Sequence, residues 1–338
     1  MRKIPATIDR AGSTDRRIDA LLTLLSENSM IVISGQKIAR EIGVSRSAVW
    51  RWTQRLRALG VRVKGHPRTG YQIERVPDVL SPTLLRRGLR GSIFGKHIYH
   101  YFKAGSTNTI ALGLGHNGEA HGAVVVAEEQ TAGRGRAGRT WHSEKTSGIY
   151  VTVLLRPEIS PMLAPLITLV AGLAVRDAVL EETGVAPDLR WPNDLLLAGK
   201  KFCGILTEMH AEPGRVHFVI VGIGADVNHA AMPADLNSIA TSLRMVTGKS
   251  HSRLILLVRL LRNLETYYNR FLEEGPESIV ARFTEVSSYA RGKRVRIAAA
   301  GKSYTGTTDG LEPNGLLRVR RDEGKIEIVV SGDVTEAT

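Results

Sequence analysis

Residues 130–141 read QTAGRGRAGRTW. Gly133, Gly135 and Gly138 have the G-x-G-x-x-G spacing of a dinucleotide-binding turn, yet Arg134, Arg136 and Arg139 fill the gaps with permanent positive charge. The strand-like AVVVAEEQ precedes the turn, but RTWHSEKTSG after it has no helical period to aim an N-terminal dipole at a pyrophosphate. That order excludes a Rossmann turn. An RNA-binding RGG tract would be longer, repetitive and free of the flanking strand. What remains is a loop that glycine keeps mobile and arginine makes cationic. Planar guanidinium forks match carboxylate and phosphate oxygens in pairs. Free, such a loop would carry repulsion among three close charges, so it is expected to order when it closes on an anionic ligand.

Outward from this loop, strand-like and helical runs alternate: IYHYFKA, STNTIALGLGHNG, AVVVAEEQ, GIYVTVLLRP, the helical LITLVAGLAVRDAVLEETG, then FCGILTEM and HFVIVGIGADV. This alternation predicts a central mixed-sheet α/β domain. A second G-x-G-x-x-G, at Gly113, Gly115 and Gly118, comes before a strand instead of after one, and reads as a helix end and loop. MVTGKS and AAAGKS each contain Gly-Lys-Ser. The first glycine of a Walker A loop is replaced by Leu243 in one and Arg296 in the other.

The net charge of +13 is unevenly spread. Residues 1–75 carry 15 Lys and Arg against 6 Asp and Glu, and the remaining 263 residues carry 31 against 27. A surplus of nine in one short module points to a polyanion partner. There Ile18, Leu21, Leu22 and Leu25 repeat at helical spacing. A short second helix is expected between the N-cap Ser34 and Gly43, and a third after the cap Ser45, with Val49, Trp52, Leu56 and Leu59 as its inward stripe. Two helices across a tight glycine turn form a helix-turn-helix, and Val61 and Val63 alternating with Arg62 and Lys64 before GHPRTG and YQI add a wing. The DNA-binding face is expected to comprise Arg46, Ser47, Arg51, Gln54, Arg55, Lys64 and Arg68, which offer cations for phosphates and forked donors and amides for base edges.

The tail from GKRVRI alternates apolar and polar residues around EPNG and DEG turns, predicting a small all-β barrel. RLILLVRLLRNLETYYNRFLEEG before it reads as one long amphipathic helix packed on a core. The longest apolar run, APLITLVAGLAV, is shorter than the roughly 20 residues of a membrane span, and MRKIPATIDRAGSTDRR lacks the apolar centre of a signal peptide. The expected compartment is the cytoplasm, with no membrane partner. Cys203 is the sole cysteine, so an intrachain disulfide and a thiolate metal cluster are excluded.

GRGRAGRTW, RWPNDLLLAGKKFCGILTE and VGIGADVN, in this order, resemble the signature segments of biotin protein ligases. The N-terminal module resembles that of the bifunctional, BirA-type members, which also repress the biotin operon. The resemblance implies an α+β multidomain chain: a winged helix-turn-helix over 1–75, a ligase domain over 76–290 and an SH3-like β domain over 291–338. It implies biotinyl-5′-adenylate formation from biotin and Mg²⁺-ATP, then transfer to a lysine of a biotin carboxyl carrier protein, with operator DNA bound by an adenylate-loaded homodimer. By the same resemblance Lys201, Arg134, Arg136 and Asp194 are the catalytic set, Asp194 lying near the metal. Ser106, Thr107, Asn108, Gln130, Gly204 and Leu206 join Arg134, Arg136 and Lys201 around biotin. Arg139, Trp141, Arg190, Asn193, Gly222, Gly224 and Asp226 take the nucleotide. Two positions depart from the family: Arg190 replaces a lysine and Asp226 an asparagine, and an ionised carboxylate cannot donate to a purine nitrogen. The competing readings are a biotin sensor without turnover and a lipoate or octanoate ligase on the same architecture.

Overall fold

The computed structural model describes residues 8–29, 31–58, 61–74, 78–299 and 302–337. Helices α1 (Ile8–Glu27), α2 (Gly35–Ile42) and α3 (Arg46–Ala58) lead into a hairpin of β1 (Val63–His66) and β2 (Gly70–Ile73). The caps expected of this module are made. Ser34 Oγ accepts from the Lys37 amide, Ser45 Oγ accepts from the Ala48 amide, and Gly43 ends α2 at φ 71°, a conformation that glycine adopts freely. Ile18, Leu21, Leu22, Leu25, Val49, Leu56, Val61 and Val63 form one buried cluster, with Trp52 packed against its edge. Leu59 and the boundary expected at 75/76 lie outside the described residues.

α4 (Pro82–Gly88) then joins the module to a seven-stranded mixed sheet. Its strands are β3 (Ile98–Tyr101), β4 (Ala123–Ala127), β5 (Gly148–Leu155), β6 (Asp188–Arg190), β7 (Asp194–Leu197), β8 (Lys200–Glu212) and β9 (Arg215–Asp226). Their order is β3-β4-β5-β9-β8-β7-β6, parallel between β3 and β4 and antiparallel elsewhere. α5 (Thr107–His116) packs through Ala111 on Val125, Leu154, Phe218 and Ile220. The second G-x-G-x-x-G is the end of this helix, as expected. α6 (Ala164–Thr183) joins the main core, as do α8 (Arg253–Glu274) and α9 (Pro276–Val286); α7 (Leu243–Thr247) is a single short turn.

One expectation changes here. The apolar run read as too short for a membrane belongs to a longer helical stretch, Pro161–Thr183, whose length and composition alone would allow a span. Most of it is buried in the main core, where Leu166, Ile167, Val170 and Leu173 are inaccessible to solvent. A helix that is apolar on every side is what a core position between sheet and helices requires.

The tail forms β10 (Arg291–Ala299), β11 (Lys302–Leu311), β12 (Leu317–Arg320), β13 (Ile326–Val329) and β14 (Asp333–Glu336), an antiparallel sheet in the order β13-β12-β11-β10-β14. Its inward Val295, Ile297, Leu317, Val319 and Val334 are continuous with the main core. The Trp191 indole donates to the Gly315 carbonyl at 2.9 Å, which ties this sheet to the W-P-N-D segment.

Candidate functional site

β8 and β9 pair so that Gly204 faces Gly224 and Leu206 faces Gly222, leaving a strip of sheet nearly free of side chains. The absence of side chains is required by what lies above it. A Cβ at Gly224 would come 2.5 Å from Trp141 Nε1, one at Gly204 would come 2.9 Å from the same indole, and one at Gly222 would run into the Asn108 amide. Lys201 Nζ lies 5.4 Å from the Trp141 ring centroid, a cation–π contact. The β7–β8 register slips between Leu195 and Leu196, which oppose Cys203 and Lys201, so Phe202 is the extra residue of a bulge. Bulges of this kind re-aim neighbouring side chains.

Lys201 Nζ is 2.5 Å from Asp194 Oδ1, and Arg190 Nη2 donates to Asp194 Oδ2 at 2.8 Å. Burial alone would raise the Asp194 pKa, but Lys201 and then Arg190 outweigh it and hold the carboxyl below its ordinary value. Both oxygens are thus taken by cations. Asp194, expected as a Mg²⁺ ligand, does not by itself form a divalent-ion seat, because one carboxylate between two cations leaves a net positive locus.

At the other end of the strip, the STN segment is built in as a network. Ser106 stands at the N-cap position of α5 and is buried, without a side-chain capping hydrogen bond. The Thr107 amide and hydroxyl both donate to Gln130 Oε1, at 2.9 and 3.1 Å, and Gln130 Nε2 donates to Ser143 Oγ at 2.9 Å. Asn108 Nδ2 donates to Glu208 Oε2 at 2.9 Å and to the Leu206 carbonyl at 3.2 Å. Thr152 Oγ1 bridges Thr107 and Asn108 at 2.8 and 2.7 Å. Thr152 and Glu208 escaped the sequence reading. A lone threonine in the wholly buried strand GIYVTVLL was the available signal, since a buried hydroxyl needs a partner.

The arginine loop is folded down onto the domain, and each guanidinium has its own acceptor. Arg134 pairs with Glu208 at 2.8 and 3.1 Å, Arg136 donates to Asn193 Oδ1 at 2.9 Å, and Arg139 grips both Asp333 oxygens at 2.6 and 2.9 Å. The anticipated repulsion is answered by partners remote in sequence. Among these, Asp333 on β14 had no sequence signal at all. The tip of the loop holds Ala137 at φ 52° and Gly138 at φ 73°.

Asp226 is 3% exposed, and burial raises its pKa well above its ordinary value; Lys201 opposes this and Glu144 adds to it. A neutral carboxyl has one donor and one acceptor, the same pair that an asparagine amide offers. The Cys203 thiol is likewise pushed up by burial, in keeping with a packing role.

On the N-terminal module, Arg46, Ser47, Arg51, Arg55, Lys64 and Arg68 are exposed, whereas Gln54 is half-buried. Arg55 lies 5.5 Å from the Phe102 ring centroid, so part of it faces the ligase-like sheet. Lys145 Nζ, in the loop after the arginine segment, donates to the Ala58 carbonyl at the end of α3 at 2.7 Å.

Residues 101–226 match the Biotin/lipoate A/B protein ligase family, 17–72 an HTH domain and 291–335 the Biotin protein ligase C terminal domain. The bifunctional ligase/repressor BirA of Bacillus subtilis is 37% identical over 322 residues, covering 93% of this chain and 97% of that protein. The chain belongs to the BirA-type biotin protein ligase family. Within that family, the Escherichia coli ligase/repressor is 26% identical over 303 residues, covering 89% of this chain and 92% of that protein. The structure of the Aquifex aeolicus biotin protein ligase in complex with biotin and ATP superposes with a TM-score of 0.62 at 28% identity, covering 72% of this chain and all of that one.

Proposed function

We infer that this family member is a biotin–carrier protein ligase and a DNA-binding repressor. The carrying observation is convergence: Arg136, Lys201, Arg190 and Trp141 meet over the glycine strip, next to the Thr107–Asn108–Gln130 network. A cationic locus beside an aromatic wall suits two anionic reactants that must be brought together against their mutual repulsion. The biotin carboxylate oxygen attacks the ATP α-phosphorus, the bond to pyrophosphate breaks, and the mixed anhydride stays bound. An amine of the carrier protein then attacks the acyl carbon and AMP leaves.

In this scheme Lys201 and Arg136 bind the carboxylate and α-phosphoryl oxygens, once Lys201 exchanges Asp194 for the substrate. Arg139 and Arg134 trade Asp333 and Glu208 for ligand oxygens. Trp141 gives up the Lys201 ammonium to stack on adenine, and Asp226 accepts from the purine amino group. The ureido ring meets Ser106, Thr107, Asn108 and Gln130, above Gly204, Leu206, Gly222 and Gly224, while Arg190 and Asn193 hold the cationic residues in place. Magnesium enters as the counter-ion of the triphosphate, as part of the substrate. Adenylate binding exchanges the partners of the loop and favours a homodimer, so that two winged modules meet a two-fold operator. A protein that modifies a carrier enzyme and reads an operator works in the cytoplasm.

Biotin-dependent pyrophosphate release by the wild type and by Lys201→Ala tests the ligase reading. Loss of one preorganised charge donor is expected to lower the rate at least about 100-fold. A rate that the substitution leaves intact would place the chemistry elsewhere. Carrier domain that stays unlabelled with biotin and Mg²⁺-ATP present would favour the sensor without turnover.

A further inference from the structure

Beyond Trp141 the chain does something that the ligase reaction leaves unused. His142, Glu144 and His229 each bring one donor atom to a common point, all within 4.8 Å of one another. His142 and Glu144 are exposed, whereas His229 is 1% exposed and neither of its ring nitrogens has a hydrogen-bond partner. A buried imidazole left wholly unsatisfied is rare, because one of its nitrogens carries a proton that the solvent cannot reach. Its Nε2 faces Glu144 Oε2 at 3.8 Å, and its Nδ1 faces Asp226 Oδ1 at 3.6 Å, an oxygen that is itself unpartnered.

We propose that His142, Glu144 and His229 form a binding site for a zinc-class divalent ion, with Asp226 orienting His229 from behind. Two imidazoles and one carboxylate are a recurrent zinc donor set. A metal-bound histidine usually turns its second nitrogen to a carboxylate, which is the placement of Asp226. Tetrahedral zinc holds ligand atoms about 3.3 Å apart at bond lengths near 2.0–2.1 Å, so the present spacing needs only about 1.5 Å of closure. The two exposed side chains can supply it by χ rotation. The backbone beneath is already joined: the Asn228 amide donates to the Ser147 carbonyl at 2.6 Å, Ser242 Oγ donates to the His229 carbonyl at 2.7 Å, and Tyr150 OH donates to the Glu144 carbonyl at 2.9 Å. A fourth position stays open to water or ligand. The bound ion would staple the loop after Trp141 to the end of β9, setting the wall of the nucleotide site without entering the reaction.

The test uses the full-length protein, stripped with chelator and free of affinity-tag histidines. Zn²⁺ is titrated against a chromophoric chelator, and Co²⁺ reports geometry by its visible absorption. We expect one equivalent per chain with a tetrahedral cobalt spectrum. Glu144→Gln and His142→Asn, both at exposed positions that leave the core intact, should each weaken binding at least about tenfold. Failure to retain one equivalent of either ion would overturn the proposal. So would stoichiometric binding that neither substitution weakens, since the ion would then sit elsewhere.

Discussion

Arg253 is fully buried, and replacing it with methionine should expose the electrostatics that tie the segment leading into α4 to the central sheet. Its Nη1 donates to Glu128 Oε2 at 2.8 Å and to the Gly148 carbonyl at 3.1 Å, and its Nε donates to Asp78 Oδ2 at 3.0 Å. Glu128, at the end of β4, also accepts from the Leu80 amide at 2.8 Å and faces His100 Nε2 at 3.2 Å. Burial pushes the Glu128 pKa up, but Arg253, followed by His100 and the Leu80 amide, brings it from 4.5 down to about 2. That drop is worth about 3 kcal/mol, at about 1.4 kcal/mol per pH unit. Because the folded value is depressed, this stability is fully present above about pH 4.5 and is lost only as the pH falls toward 2.

Arg253→Met leaves the carboxylate buried without its cation, and an uncompensated charge of this kind costs about 3–5 kcal/mol. Burial then dominates the Glu128 titration, so its folded pKa rises above the unfolded one and the sign of the linkage reverses. The deficit should be largest at pH 7 and shrink toward pH 5, where protonation relieves it. Adding Glu128→Gln should restore part of the loss at pH 7. Urea unfolding of the wild type, the single variant and the double variant at both pH values measures this. A single variant within about 1 kcal/mol of wild type at pH 7 would refute the reasoning. A deficit that stays the same at pH 5 would do so equally.

Asp333→Ala frees Arg139 from an exposed pair, 59% and 49% accessible, so the effect is bounded near 1 kcal/mol and the KM for ATP should move no more than about fivefold. A larger change in steady-state kinetics would mean that the latch carries more than a surface ion pair. Gly224→Ala puts a methyl 2.5 Å from Trp141 Nε1 and should displace the indole, lowering nucleotide affinity at least tenfold, by the roughly 1.4 kcal/mol that a lost aromatic contact represents. Unchanged ATP binding by calorimetry would remove Trp141 from the nucleotide site. Arg51→Ala should weaken operator binding and lower the salt slope of log K by about 1, read by fluorescence anisotropy at several salt concentrations. Arg55 packs beside Phe102, so its substitution should disturb the domain contact as well as DNA.

The elements of the N-terminal module were legible because their causes are local. Caps at Ser34 and Ser45, the αL stop at Gly43 and the stripe Val49–Leu56 depend on residues three or four apart. The same holds for the alternating tail, the long α8 and the failure of both G-x-G-x-x-G segments as cofactor turns. The arginine loop announced its charge but not its conformation. Its acceptors lie 74 residues away at Glu208 and 194 away at Asp333, and a sequence shows such pairs only once strand order has been settled.

Burial changed chemistry in the same way. Asp226 reads as an ionised acceptor and Asp194 as a metal ligand when taken as letters. Their surroundings set them apart instead: Asp226 is enclosed, with burial raising its pKa, and Asp194 is paired with two cations. His229, 85 residues beyond Glu144, had no motif to mark it, since only the pairing of β5 with β9 sets the two loops side by side. Local periodicity and capping thus determined which elements form, because backbone sterics and short-range hydrogen bonds act within a few residues. Which charges meet, and which protonation state each holds, was decided by the tertiary structure, because electrostatic energy depends on distance and solvent exposure.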